Sequence, residues 1–570
     1  MRKYIYILIG VTLSLTSCNF LDQEPDLRSE INTQKKVQML LVSGYQMPNI
    51  AGIGETMSDN DVDNNAPDSR GKCFNEEPLE QMYTQMFTFQ DVTSASFSNQ
   101  DSPAFIWNNC YHNIAVANQA IEAINQLEKD GGSKLNTERA EALMIRAYNH
   151  FILVNIFCHA YKDATLSKQD VGIHYMTSTE STVRPQYERG TVAEVYENIE
   201  KDLVDALETY GVDDSYYSVP KYHFNKNAAY AFAARFYLFT RQYDKVVRYA
   251  DLVLGSTPAS LMWDAKTAKE YGNAENERNA WFDAKSPANL MISDCHSVFS
   301  RSFFPGYNRF VINYDPLDMT INGPGPNWTS RFPGFNIWHF DQKYGAFLTK
   351  IDEYFEYTDK VAGIGMVHML RREFTTGETL LCRAEAQIML GNIDAAIADM
   401  DTWTKGYLCT IDLTRSNIES FFSKRKNTIA NSHLGEQSYE RYFQIVPNLH
   451  CQDLTPEWTA FSEDKLPYIW CVLHLRRIEN MHDGTRFFDI KRYGMEVIHY
   501  FGSENKRLFL CWNDDRKAVQ LPPEVQIAGM KPNERKVIGD NVVPYISGNT
   551  SYSGENLPIK PNGEMTILIK

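Results

Sequence analysis

Two helix–turn–helix signatures, set far apart in the sequence, leave this chain few folds to choose from. In the first, Asn227 to Thr240 and Tyr243 to Leu254 are joined by a very short turn. Ala234, Tyr237, Val246, Ala250 and Val253 stand at the small and aromatic positions of a tetratricopeptide unit. The second, Thr379 to Trp403, fits better, with Ala384, Ala396, Met400 and Trp403 at those positions and Gly391 at the turn. The units are dispersed, not tandem, and long insertions separate them, the largest running from roughly Gly255 to Gly377.

Other segments repeat the helical period. A run through Val37, Leu40, Leu41 and Tyr45 comes first. Phe105 to Leu127 aligns Trp107, Tyr111, Ile114, Ala117 or Asn118, Ile121 and Ile124, and Gly131-Gly132 closes it. Glu138 to His159 aligns Leu143, Ala147, Phe151, Val154 and Cys158. Thr191-Val192-Ala193-Glu194 is a capping box for a helix reaching about Tyr210. The last strong helix spans Leu466 to Met481. The expected fold is mainly α, a tetratricopeptide-like scaffold with helical repeats over about 34–255 and 378–494.

Two insertions interrupt it, about 49–102 and 256–377, and an irregular tail occupies about 515–570. Within the larger insertion, Phe299 to Phe347 is about a quarter aromatic, against 13% for the whole chain. Its aromatics follow neither a helical nor a strand period, and Pro305-Gly306, Gly323-Pro324-Gly325-Pro326 and Pro333-Gly334 punctuate it. So many rings argue against disorder, and a loop this long is then functional. The expectation is an aromatic loop platform that binds something.

A net charge of −16 disfavours nucleic acid and repels anionic partners, so a neutral ligand comes first. Arg2 and Lys3 precede an apolar run from Tyr4 to Leu15, too short to span a bilayer, and Leu15-Thr16-Ser17-Cys18 matches the bacterial lipobox. Residues 1–17 are thus expected to be removed and Cys18 acylated, anchoring a single domain of 18–570 without a spanning segment. Nine further cysteines show no CxxC spacing, and the sequence cannot pair them. No GxSxG, HExxH or P-loop is present, and Gly52-Ile53-Gly54 lacks the third glycine of a dinucleotide fingerprint. Neither catalytic residues nor a cofactor is expected. Asp59, Asp61 and Asp63 imitate the start of a calcium loop. Asn64 then replaces the sharp-turn glycine and Arg70 the closing glutamate, so the stretch reads as a solvated loop without metal.

Residues 476–494 crowd Arg476, Arg477, Glu479, Asp483, Arg486, Asp489, Lys491 and Arg492 around Phe487, Phe488 and Ile490. This reads as a buried ion network that fixes geometry, not as an active site. It also carries a resemblance. Arg476-Arg477-x-Glu479, Gly484-x-Arg486, Asp489 and Arg492-x-Gly494 are similar to the most specific motif of the SusD/RagB family of outer-membrane lipoproteins. Cys18 with Leu21-Asp22 and Pro25, Gly44-Tyr45, Trp107 to Asn118, Glu141-Ala142 through Arg146-Ala147-Tyr148, Thr191 to Leu203, and Arg383-Ala384-Glu385-Ala386 with Leu390-Gly391 follow in the family's order. Asp483 in place of Glu, Cys158-His159 in place of Phe-Gly, and the long tail past Pro523 depart from the pattern.

The resemblance implies four tetratricopeptide-like units supporting a loop-rich ligand region. It also implies a lipid anchor at the outer leaflet of the outer membrane, facing the exterior, and delivery of glycan to a TonB-dependent (SusC-like) barrel. Sugars offer C–H faces to aromatic rings and hydroxyls to flanking polar groups. Trp328, Trp338, Tyr314 and Tyr307 are the candidate platform, Arg309, Asp315 and Asn327 its polar partners, and Asp59 and Asp61 a second rim. The alternatives are an envelope assembly scaffold without ligand, a peptide-binding member of the same family, and a surface glycoside hydrolase. A pure scaffold has no use for exposed aromatics on long loops.

Overall fold

The structure, a computed structural model, describes residues 31–65, 78, 80–180, 182, 186–304, 308–335, 337–341, 345–348, 350–431, 445–456, 458–501, 506–536 and 542–544. Its longer helices in chain order are α1 (Gln34–Val42), α2 (Ala51–Thr56), α3 (Gln81–Phe87), α4 (Pro103–Lys129), α5 (Asn136–Phe157), α6 (Val192–Val204), α7 (Lys226–Phe239), α8 (Tyr243–Leu254), α9 (Ala274–Trp281), α10 (Thr376–Met389), α11 (Ile393–Gly406), α12 (Arg415–Asn431), α13 (Leu466–Glu479), α14 (Arg486–Tyr493) and α15 (Pro523–Ile527). Among the described residues no helix is long and apolar enough to cross a membrane.

The helices start and stop where local chemistry dictates. Ser102 caps α4 by accepting from the Phe105 N–H at 3.0 Å, with Pro103 in the first turn. At α6 the Thr191 hydroxyl accepts from the Glu194 N–H at 3.2 Å while Glu194 accepts from the Thr191 N–H at 2.8 Å. That helix then widens into a π-helical turn over Asp205–Tyr210.

The dispersed repeats meet in space. Helix α8 packs on α10 as well as on its own partner α7, so the two helix pairs stack despite the insertion between them. Their tight turns use the same left-handed position, filled by Gly391 at φ +85° and by Arg241 at φ +60°. Such a conformation costs a non-glycine residue roughly 1–2 kcal/mol. The Arg241 guanidinium offsets this by donating to the carbonyls of Lys162 and Tyr161 and lying 4.2 Å over the Trp458 ring.

The larger insertion is not all turns and loops. Strands β1 (Val62–Asp63), β2 (Asn289–His296), β3 (Phe310–Val311), β4 (Ile337–Asp341), β5 (Gly345–Leu348), β6 (Glu353–Asp359), β7 (Ile364–Thr375), β8 (Val497–Phe501), β9 (Lys506–Leu510) and β10 (Val542–Pro544) form four small antiparallel sheets. One pairs β1 with β3, and another orders β2-β7-β6. Segments such as Phe310-Val311-Ile312 are buried at every position, so no alternation survived in the sequence to mark them.

The charged motif near the C-terminus is the expected ion network. Asp489 accepts from Arg476 at 3.0 and 3.2 Å and from Arg492 at 2.8 Å, and Arg492 also donates to Glu385 at 2.5 and 2.6 Å. Glu479 accepts from Thr375, Trp403 and Tyr407. The network reaches the chain's other end. Arg486 donates two 2.8 Å bonds to Asp59, Arg477 donates to the Asn60 side chain and the Asp59 carbonyl, and Glu55 accepts from the Gly484 N–H at 2.9 Å. Here Gly54 and Gly484 approach so closely that a Cβ on Gly54 would overlap the Gly484 carbonyl. Only glycine fits there. The eight described cysteines are all free.

Candidate functional site

The structure redistributes the residues singled out for a ligand platform. Trp328 is buried: its indole N–H donates to the Gly323 carbonyl at 2.9 Å, and its ring lies edge-on to Phe332 and parallel to His474. The Gly323-to-Pro326 turn folds back on that indole, with the Gly325 N–H donating to the Trp328 carbonyl at 3.0 Å. Glycines and prolines that looked like the makings of an outward loop instead let the chain wrap its own tryptophan. Asn327 is buried as well, donating to the Thr404 hydroxyl at 2.9 Å and the Ile411 carbonyl at 3.0 Å.

Arg309 and Asp63 form a buried bidentate pair at 2.7 Å across the β1–β3 bridge. The expected solvated rim is interior. Burial pushes the Asp59 carboxyl up, but Arg477 and Arg486 win and hold it below the usual carboxylate range. Asp61 is buried with neither oxygen hydrogen-bonded, and burial, then the Glu55 charge, raises its carboxyl well above the usual range. Among the described residues no group of three or more His, Cys, Asp or Glu could hold a metal ion. Tyr307 and Cys18 lie outside the described residues. Tyr314 and Asp315 begin a short helix, Tyr314–Met319, and Trp338 lies on β4, but the side chains of these three lie outside the described ones.

Exposed aromatics do occur in the insertion, on the edge strand β6: Tyr354, Phe355 and Tyr357 are 44%, 43% and 52% exposed. Pairing register sets His296, His368 and Tyr354 in one row across β2, β7 and β6. His368 lies between the Asp294 and Glu356 carboxylates, at 3.0 and 3.2 Å. His368, at the centre of the row, is buried.

The concave site lies elsewhere. A cavity of about 1120 Å³ opens between α4, a loop wall from residues 174–180 and 186–187, and the C-terminal turn 524–530. Helix α4 turns one stripe toward it, Tyr111, Ala115, Gln119 and Glu122, at spacings of four, four and three residues. Trp107 sits at its base, 4.9 Å from the Tyr111 ring.

The loop wall is held from behind by motif residues. Arg146 donates to Asp202 at 2.6 and 2.7 Å and to the Asn118 side chain at 2.9 Å, and Asn118 donates to the carbonyls of Met176 and Ser178, both at 3.2 Å. Behind it, His150 contacts the Arg146 carbonyl through Nδ1 and accepts the Met176 N–H at 3.1 Å through Nε2, a neutral imidazole; burial pushes its pKa down to about 3. The Tyr175 ring stacks on it at 3.8 Å. At the mouth Tyr111 donates to the His174 carbonyl at 2.9 Å, Tyr187 lies 4.5 Å from the His174 ring and donates to Glu180 at 2.6 Å, and Thr179 donates to Glu122 at 2.6 Å. The third wall is docked by Arg189, which donates to the Lys531 carbonyl at 3.0 Å.

Rings at the base, with amides and carboxylates at the rim, suit a polar ligand with an apolar face. Sequence reasoning missed this site because Tyr111 falls near the core stripe of its helix. The available signal was the Tyr111-Ala115-Gln119-Glu122 row beside it, together with Asn118 and Arg146, whose motifs mark the wall's supports.

Residues 19–238 match the SusD-like family described as starch-binding and associating with the outer membrane, and that span contains α4 and the loop wall. No curated protein matches the sequence. Solved structures do. A SusD superfamily protein from Bacteroides fragilis is 15% identical over 88% of this chain and 99% of its own, with a TM-score of 0.55. Another, from Bacteroides vulgatus, is 19% identical over 87% and 97%, at 0.53. A SusD-like carbohydrate binding protein from Bacteroides vulgatus is 15% identical over 87% and 96%, also at 0.53. At such identities the likeness speaks for the fold.

Proposed function

We infer the function from one premise: this chain belongs to the SusD-like family, whose members are described as starch-binding and associated with the outer membrane. We propose that it captures an oligosaccharide in the cavity between α4, the wall of residues 174–180 and 186–187 and the turn 524–530, and passes it to a TonB-dependent barrel. Acyl chains on Cys18 tether it to the outer membrane, facing the exterior. The observation that carries the reading is the coincidence of family match and cavity, since residues 19–238 include two of the three walls. Tyr111, Tyr187 and Trp107 offer ring surfaces to sugar C–H faces, and Gln119, Gln186 and Glu122 accept or donate to hydroxyls. The role is binding, not catalysis.

Calorimetry of the full chain in detergent against a glycan panel tests this. One or more oligosaccharides should bind with a dissociation constant below millimolar, and the Tyr111→Ala, Tyr187→Ala double variant should weaken binding at least tenfold. No binding across the panel, or unchanged affinity in the variant, would sink the assignment.

A scaffold role has one observation in its favour. The turn between β6 and β7 holds Val361 at 99% exposure, beside Phe355, Tyr357 and Ile364, all outward. Exposed apolar residues grouped on one hairpin suit a protein contact. Val361→Asp with Ile364→Asp should reduce co-purification of a barrel partner while leaving glycan binding intact. Loss of neither would leave the hairpin without this role.

A further inference from the structure

The cavity is lined by two chemically different sets of side chains. Gln119, Glu122 and Gln186 offer amide and carboxylate groups to a ligand. Phe97, Met176, Val525, Ile527 and Met530 present carbon and thioether sulfur instead. Phe97, Met176 and Met530 are half-buried, and each packs against the core while also lining the cavity. Val525 roots the C-terminal turn in the core, whereas Ile527, two residues on, is 86% exposed. The turn that carries it is firmly bonded. The Val525 N–H donates to the Pro522 carbonyl at 3.0 Å, the Ala528 N–H to the Glu524 carbonyl at 3.0 Å, and the Met530 N–H to the Val525 carbonyl at 3.2 Å. Gln526 adds a 2.7 Å bond to the Leu521 carbonyl. One exposed apolar residue on a surface needs no explanation, but five lining one concave site point to what that site receives.

We propose that the cavity selects glycans whose hydroxyls carry short acyl esters, acetyl above all. The proposal rests on the reading of the cavity as the glycan site and deepens it. A bare sugar finds partners for its hydroxyls among the amides and carboxylates. Hydroxyls that face Met176, Ile527 and Met530 exchange water for carbon and a thioether, and each such loss weakens binding. An ester removes the O–H donor and puts in its place a methyl that the apolar residues can bury. Methionine suits this role, because its unbranched side chain adapts to acyl groups at more than one position on the sugar. At about 1120 Å³ the space exceeds an ordinary small-molecule pocket, so several linked units fit and both sets of side chains act on one ligand.

The test is calorimetry of the full chain in lipid nanodiscs against pairs of tetrasaccharides from cellulose, xylan and mannan, each native and O-acetylated. In the pair that binds tightest, the acetylated member should bind at least fourfold tighter, since one buried methyl is worth about that much. Ile527→Ser with Met530→Ser should cut the ratio within that pair below twofold, and Met176→Gln should lower it independently. A native member that binds as tightly as its acetylated twin, or a ratio unchanged in both variants, would overturn the acyl selection yet leave the glycan reading standing. Failure of every pair, and of a wider glycan panel, would overturn both. Binding of octyl glucoside as tightly as the best acetylated tetramer would also overturn the proposal, because one alkyl tail would then account for the apolar residues.

Discussion

Replacing Asp59 by Asn probes the link between the two ends of the chain without opening a cavity. Asp59 accepts both 2.8 Å bonds from Arg486, so the variant leaves that buried guanidinium facing a neutral amide. Arg477 keeps its bonds to Asn60 and to the residue-59 carbonyl but loses its 3.5 Å ion pair with the carboxylate, so the loss falls on both guanidiniums. Breaking a buried pair from one side costs about 3–5 kcal/mol. For 570 residues the unfolding entropy is about 1.2 kcal/mol per kelvin, so Tm should fall by about 3–4 °C. Differential scanning calorimetry at pH 7 measures it. Asp59→Asn with Arg486→Met removes both charges and should recover much of the loss, giving a coupling of about 2 kcal/mol or more. A Tm within 1 °C of the parent in the single variant, or additive losses in the double, would refute the idea that this pair holds the ends together.

Stability should also depend on pH through two other buried carboxyls. Burial raises Glu55 from 4.5 to about 7 and Asp101 from 3.8 to about 7. A folded pKa above the unfolded one means folding takes up protons, so their penalty is absent below about pH 4 and grows as pH rises to about 7. Urea unfolding should lose on the order of 3 kcal/mol per group across that window, and Glu55→Gln should flatten the slope; a flat profile in the parent would count against both shifts. Trp328→Ala should cost about 3–5 kcal/mol of stability in the same assay yet leave glycan affinity unchanged, and a change in affinity would return that residue to the ligand. Cys18→Ala should abolish palmitate labelling and move the protein from the membrane fraction to the soluble one, whereas continued labelling would place the acylation elsewhere.

Several helices were legible because they carry their own punctuation: Ser102-Pro103 before α4, the Thr191–Glu194 box before α6, Gly391 between α10 and α11; α2, α3 and α9, inside the insertions, and α12 were not. The ion network was legible too, since Arg476, Arg486, Asp489 and Arg492 crowd among phenylalanines in one short motif. What the sequence could not convey was direction within the insertions. Aromatic density around Trp328 is the same whether the indole faces water or the Gly323 carbonyl. Asp59 to Asp63 look like a solvated acidic loop until Arg477, Arg486 and Arg309 arrive from hundreds of residues away. The cavity was hidden for a related reason. Its walls come from α4, residues 174–180 and 186–187, and a C-terminal turn, and no local pattern joins them.

The close approach of Gly54 to Gly484 has a consequence for how the molecule is made. A chain emerging N-terminus first presents Glu55 and Asp59 long before Gly484 and Arg486 exist to receive them. Until then that segment has no counter-charges and stays hydrated, so the scaffold cannot close around it early. Contacts this distant in sequence form slowly, so Glu55 and Asp59 gain their partners only once the last hundred residues are made. A truncation that stops short of Gly484 would leave Glu55 and Asp59 without the partners that hold them.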